Sequence, residues 1–158
     1  YISFWTNARK EKCEKMKLNP IEVSVLASIV QEETNKLEEK PIVAGLYLNR
    51  LQKGIMLQAD PTVKFAMHDF TIRRVTNKML EMDSPYNTYK NSGLPPGPIS
   101  FPELSSLNAV LNAQSHNYLY MCAKEDFSGY HNFATNLIQH NINAAKYRHA
   151  LNKNKIWK

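Results

Sequence analysis

The stretch Asp83 to Pro102, DSPYNTYKNSGLPPGPISFP, restricts the fold of this chain more than any other. Its five prolines and two glycines exclude a regular helix and a central strand. A loop this long inside a compact domain is more often functional than idle. The regular elements must lie on either side of it. A chain of 158 residues suits one domain and should bury ~68–70% of its unfolded surface. With 43% hydrophobic and 22% charged residues, it is neither a disordered tail, a collagen-like repeat nor a coiled-coil rod.

Before the loop the pattern is helical. Residues 3–18 read as a basic amphipathic helix. Asn19-Pro20 then starts a new one, with Asn19 as N-cap, Pro20 in the first helical position and Glu22 in the capping-box position. The spacing predicts a helix over 20–36. Another is expected from about Pro41, stopped by Gly54. Residues 55–68 predict an extended lead-in, an Asp-Pro turn and a short helix. A loop with one helical turn follows over 71–82.

After the loop, 102–113 predicts a helix, and 118–123 reads as a strand by its aromatic and apolar content. Gly129 marks a turn, and His131 to Phe133 returns as the second strand of a hairpin. A helix is expected from about Thr135 to Lys158. The fold class is therefore α+β, mostly helical with a small antiparallel hairpin.

Composition narrows the setting. Twenty basic against fourteen acidic residues give a net charge of +6 and a pI near 9.3. That favours an anionic partner such as nucleic acid, lipid or an acidic polymer. Cys13 and Cys122 are too few for a disulfide scaffold. The longest mostly apolar run, Val23 to Val30, is far short of the ~20 residues of a membrane helix. Tyr1 to Trp5 lacks the pattern of a signal peptide. The chain is then either cytosolic or a piece cut from a longer exported chain, and the abrupt YISFW start without an initiator Met favours the cut piece.

One acidic residue stands out. At ~100° per residue, Ile21, Val25, Leu26, Ile29 and Val30 form an apolar stripe on the 20–36 helix. Glu33 falls near the middle of that stripe. A carboxyl desolvated there would have a raised pKa, as a general acid requires. The alternative is structural: Glu33 pairs with a cation such as Arg50, or the stripe runs out into solvent. Other chemistries lack their motifs. His68, His116, His131, His140 and His149 show no metal-ligand spacing. No G-x-S-x-G elbow, P-loop or dinucleotide fingerprint is present. Arg73-Arg74 and the C-terminal KNKIWK could contact phosphates, but read more simply as a solvated face.

Four blocks resemble a known family in order and spacing. They are ASIVQEET (27–34), VAGLYLNRLQKGIMLQADPTV (43–63), SPYNTYKNSGLPPGPIS (84–100) and HNFATNLIQHN (131–141). The family is the YceG-like family of endolytic murein transglycosylases, and the likeness covers about residues 19–150. It implies one catalytic domain over 1–158, with the family's N-terminal membrane anchor and LysM-like domain absent from this chain. The family's helix motif usually carries two glutamates. Here the first position is Gln31, so the resemblance assigns the catalytic acid to Glu33. It implies cleavage of the β-1,4 bond between N-acetylmuramic acid and N-acetylglucosamine, leaving a 1,6-anhydro end. Ordinary glycosidases need two carboxylates ~5–5.5 Å or ~6.5–9.5 Å apart. An intramolecular nucleophile removes that need.

The resemblance also implies the substrate side. Gln58, Asp60, Asn87, Thr88, Tyr89, His131, Thr135 and Asn136 are candidate cleft residues. Asp60 could instead cap the helix begun by Pro61, which its turn chemistry favours, or act as a second carboxylate and permit hydrolysis. Either Tyr86 or Tyr89 is expected to pack the loop down. His131 could bind substrate or order its loop. No metal or organic cofactor is implied. The partner is peptidoglycan, not nucleic acid, with wall-synthesis proteins as further partners. The place is the outer face of the bacterial cytoplasmic membrane. The remaining alternative is a non-catalytic basic module binding glycan or nucleic acid.

Overall fold

The computed structural model describes residues 2–154. Its organising element is the helix α2, Pro20–Glu33, which starts as its sequence predicts. Asn19 Oδ1 accepts from Glu22 N at 2.8 Å, and Glu22 Oε1 accepts from Asn19 N at 3.0 Å. The capping box thus satisfies two main-chain donors that a helix start leaves free. From Val23 to Val30 every residue is buried. Ile21, expected in the apolar stripe, is instead 67% exposed, on the wall of an open hollow beside Met16 and Leu18.

The expected end at 36 is also corrected. Thr34 turns extended, with φ −148°, so α2 stops at Glu33. The Thr34 hydroxyl then donates to Glu39 Oε1 at 3.0 Å. Ahead of α2, the expected 3–18 helix is a 3-10 turn over Ile2–Phe4 followed by α1, Asn7–Lys15. Thr6 separates the two and caps α1 by accepting from Arg9 N.

Helix α3, Lys40–Gln52, is followed by Gly54, whose φ of +68° suits a glycine at a helix stop. At its middle, Gly45 lies against the incoming chain of the hairpin. A Cβ there would stand 2.3 Å from Gln114 O, so no larger residue fits without displacement. Helix α4, Asp60–Ala66, and a 3-10 turn over Met79–Glu81 precede the loop. After it come α5, Leu104–Leu111, then β1, Tyr120–Ala123, and β2, His131–Ala134. The strands pair antiparallel, with Tyr120 opposite Ala134 and Ala123 opposite His131. Helix α6, Leu137–Lys153, packs on this hairpin. The last residues of the expected C-terminal helix, 155–158, lie outside the described residues.

The core sits where α2 meets α3 and α5, around Leu26, Ile29, Leu46 and Leu107. Six helices and one two-stranded sheet among the described residues make the class α+β and mostly helical. Cys13 and Cys122 are both free. No helix among the described residues is long and apolar enough to cross a membrane.

The proline-rich loop has no regular element from residue 82 to 103, yet it is firmly held. Ile99 is buried and its N donates to Ser28 Oγ at 3.0 Å. Gln31 Nε2 donates to Phe101 O at 2.8 Å. The Gln31 side chain therefore ties the loop to α2.

Candidate active site

The C-terminal end of α2 opens into a cleft of about 670 Å³. Its walls come from elements far apart in sequence. Glu32 and Glu33 end α2, Tyr47 and Arg50 come from α3, and Gln58 and Asp60 from the α3–α4 junction. Tyr89 comes from the proline-rich loop, His131 from β2, and His140, Tyr147 and Arg148 from one face of α6. A second hollow, of about 770 Å³, lies between the end of α1 and Pro95-Pro96. The one carboxylate lining it, Glu22, is already committed to capping α2.

Glu33 is partly buried at the cleft floor. Burial, and then the neighbouring charge of Asp60, push its carboxyl up to about 8. The Tyr47 hydroxyl, a hydrogen-bond donor to it, and the Lys64 ammonium act the other way but more weakly. The shift has the sign expected for a carboxyl removed from water beside a like charge. The structural alternative of a pair with Arg50 does not form. Arg50 donates through Nε to Leu119 O at 2.6 Å and through a terminal nitrogen to Met56 O at 2.7 Å. Its guanidinium lies over the Tyr120 ring. Glu33 has no salt bridge to any described residue.

Asp60 does not cap α4. The N-cap is Ala59, Asp60 is the first helical residue, and its carboxylate accepts from the Tyr89 hydroxyl at 2.5 Å. The Asp-Pro signal locates the start of the helix but is one residue off in its cap. Without a capping bond, the side chain is free to face the cleft. Desolvation and the Asp60 charge hold the Tyr89 phenol well above its ordinary range, so it is a neutral donor. Gln58 is exposed on the cleft wall, with φ +50°.

Two loop candidates are scaffold instead. Asn87 is 0% and Thr88 1% exposed. Asn87 Nδ2 donates to Leu80 O and Met82 O, each at 2.8 Å, and its Oδ1 accepts from Tyr89 N. Thr88 Oγ1 accepts from Ala59 N at 2.9 Å and lies 2.8 Å from Thr62 Oγ1. Both side chains are consumed by the fold and aim Tyr89 and Asp60 at the cleft. Tyr86 is the tyrosine that packs the loop down, its ring 4.8 Å from Phe65.

His131 does line the cleft. Its Nδ1 lies 2.9 Å from Glu39 Oε1 and its backbone N donates to Glu39 Oε2 at 2.7 Å. Asn136 is a cap: its Oδ1 accepts from Gln139 N at 2.8 Å and starts α6. Thr135 is exposed and is not among the cleft residues.

Sequence reasoning missed Tyr47, His140 and Tyr147. Tyr47 sits in a stretch that reads as an ordinary core helix. The other two belong to α6, whose cleft face emerges only when it docks on the hairpin. Desolvation and the Arg50 charge lower the His140 imidazole below its ordinary range. Arg73 and Arg74, read as a solvated face, are exposed but lie on the cleft wall.

Known proteins with similar sequences bear on this site. The model of the YceG-like family matches residues 2–146. A protein of Bacillus subtilis strain 168, named endolytic murein transglycosylase, is 40% identical over 138 residues, covering 87% of this chain and 38% of that protein. A Streptococcus pneumoniae D39 protein of the same name is 31% identical over 130 residues, 80% of this chain and 23% of its own. The crystal structure of a yceG-like protein from Listeria monocytogenes superposes with a TM-score of 0.78 at 38% identity, over 85% of this chain and 43% of that one. The chain thus spans less than half the length of each of these relatives.

Proposed function

This chain belongs to the YceG-like family, and we propose that it cleaves murein glycan strands internally with Glu33 as the general acid and base. One observation carries the assignment of Glu33. A carboxyl without an ion pair, pushed up to about 8 by burial and by Asp60, lines a cleft of about 670 Å³. At neutral pH it is largely protonated, so it can deliver a proton to the departing glycosidic oxygen.

The C1–O bond breaks as that oxygen takes the Glu33 proton. Positive charge develops at C1 and the ring oxygen, and the Asp60 carboxylate is the nearby negative group that would stabilise it. Glu33, now a carboxylate, removes the proton of the sugar's own C6 hydroxyl. O6 closes on C1, giving the 1,6-anhydro end and restoring the protonated acid. No water is consumed and no second protein nucleophile is required. Tyr89 holds Asp60 in place. Tyr147 offers a flat face and Gln58 an amide for sugar contacts. This chemistry would act on the cell wall outside the cytoplasmic membrane.

A second reading is hydrolysis. The Asp60 carboxylate on the cleft wall favours it, since its second oxygen could align a water for attack at C1. Mass spectrometry of peptidoglycan digested by the parent and by Glu33→Gln separates the two. Anhydro ends made by the parent alone support transglycosylation. Reducing ends would replace it with hydrolysis. No product from the parent would overturn both.

A further inference from the structure

The chain has five arginines. Two serve the fold: Arg9 donates to Phe4 O at 2.8 Å, and Arg50 to Leu119 O and Met56 O. The other three, Arg73, Arg74 and Arg148, all line the cleft that holds Glu33. They arrive from the segment after α4 and from α6, and all three are exposed. Among the described residues, none of their side chains has an ion pair or a hydrogen bond. Three exposed guanidinium groups on one cleft, without an ion pair or hydrogen bond, have no partner among the described residues that would explain their place.

Their position relative to the acids is informative. The Glu33 carboxyl feels Asp60 and Lys64 but none of these three arginines. The cleft thus has an acidic wall from the end of α2 and the start of α4, and a cationic wall from the segment after α4 and from α6. A densely charged polyphosphate would press its charge against Glu32 and Asp60. A neutral chain bearing spaced carboxylates meets each wall with the right sign. The planar guanidinium fork matches a carboxylate in a two-bond geometry.

We propose that Arg73, Arg74 and Arg148 form a binding site for the carboxylates of the peptide stems on the glycan strand, an inference that rests on the murein reading above. The site makes the enzyme selective for strands that still carry their peptides.

Calorimetric binding of soluble glycan fragments tests this in three arms: peptide-bearing fragments, fragments stripped of peptide, and fragments with amidated stem carboxylates. The peptide-bearing form should bind about tenfold tighter than the other two, as expected for lost charge-assisted contacts. That difference should shrink toward one in R73Q/R74Q and, separately, in R148Q. Equal affinities in the parent, a preference that survives amidation, or a preference kept by both variants would each overturn the proposal. Cleavage is followed in parallel. Selective binding without cleavage would sink the catalytic reading while the carboxylate site stands. Cleavage without selectivity would sink the site and leave the catalytic reading intact.

Discussion

The buried carboxylate of Glu39 accepts from both the backbone N and the Nδ1 of His131, at 2.7 and 2.9 Å. It also accepts from the Thr34 hydroxyl, one residue past Glu33. Glu39 therefore ties the end of the helix carrying the acid to the hairpin strand carrying the histidine. It fixes the neutral ring with its proton on Nδ1, leaving Nε2 as the nitrogen available to the cleft. Glu39→Gln should reverse this. The main-chain N–H of His131 can only donate, so the amide oxygen must face it, which places the amide NH₂ against Nδ1. Two-bond proton–nitrogen NMR of the His131 ring above neutral pH should report Nδ1–H in the parent and Nε2–H in the variant. The same tautomer in both would show that Glu39 does not set it.

Titration of the Glu33 carboxyl by carbon-13 NMR should give a midpoint near 8. Asp60→Asn removes the like charge and should lower that midpoint. Tyr47→Phe removes a donor to the ionised form and should raise it. Shifts of the opposite sign would mean that other groups govern the acid.

Stability should carry the same signature. The folded-state value of Glu33 lies above the unfolded 4.5, so the native protein binds the extra proton between 4.5 and about 8. Its contribution is therefore most favourable below that window and is lost as pH rises through it, by at most about 5 kcal/mol. Glu33→Gln keeps the shape without the charge. Its melting temperature relative to the parent should rise from pH 4 to pH 9. A difference independent of pH would contradict the desolvated environment.

Asn87 should behave as a structural residue. Asn87→Ala leaves Leu80 O and Met82 O without their donor and frees Tyr89 N. A loss of about 3 kcal/mol in urea unfolding is expected. Unchanged stability with weakened substrate affinity would return Asn87 to the sugar-binding surface.

The parts of this molecule governed by local rules were legible in its sequence. Asn19, Pro20 and Glu22 announce the start of α2, and the hairpin follows from its aromatic content and Gly129. The place of Glu33 was legible only in part: a carboxyl on an apolar stripe is a local contradiction, but the helix pattern alone left a structural role open, and the family resemblance singled it out. The failures arise where one residue type serves two purposes. An asparagine or threonine in a polar loop can bind sugar or knit the backbone, and only burial decides. Asn87, Thr88 and Asn136 turned out to knit it. Asp60 erred the other way, its turn chemistry suggesting a cap where the cap is Ala59. The α6 wall was not legible, because no local pattern states which face of a helix a distant hairpin will cover.

The dependence of murein cleavage on pH tests Glu33's role most directly. Initial rates of strand cleavage, read by mass spectrometry of the new ends, should fall on the alkaline side with a midpoint near 8. Glu33→Gln should cleave about 10³-fold more slowly, without that alkaline limb. A Glu33→Gln protein that keeps both the parent's rate and its alkaline limb would show that another group is the acid.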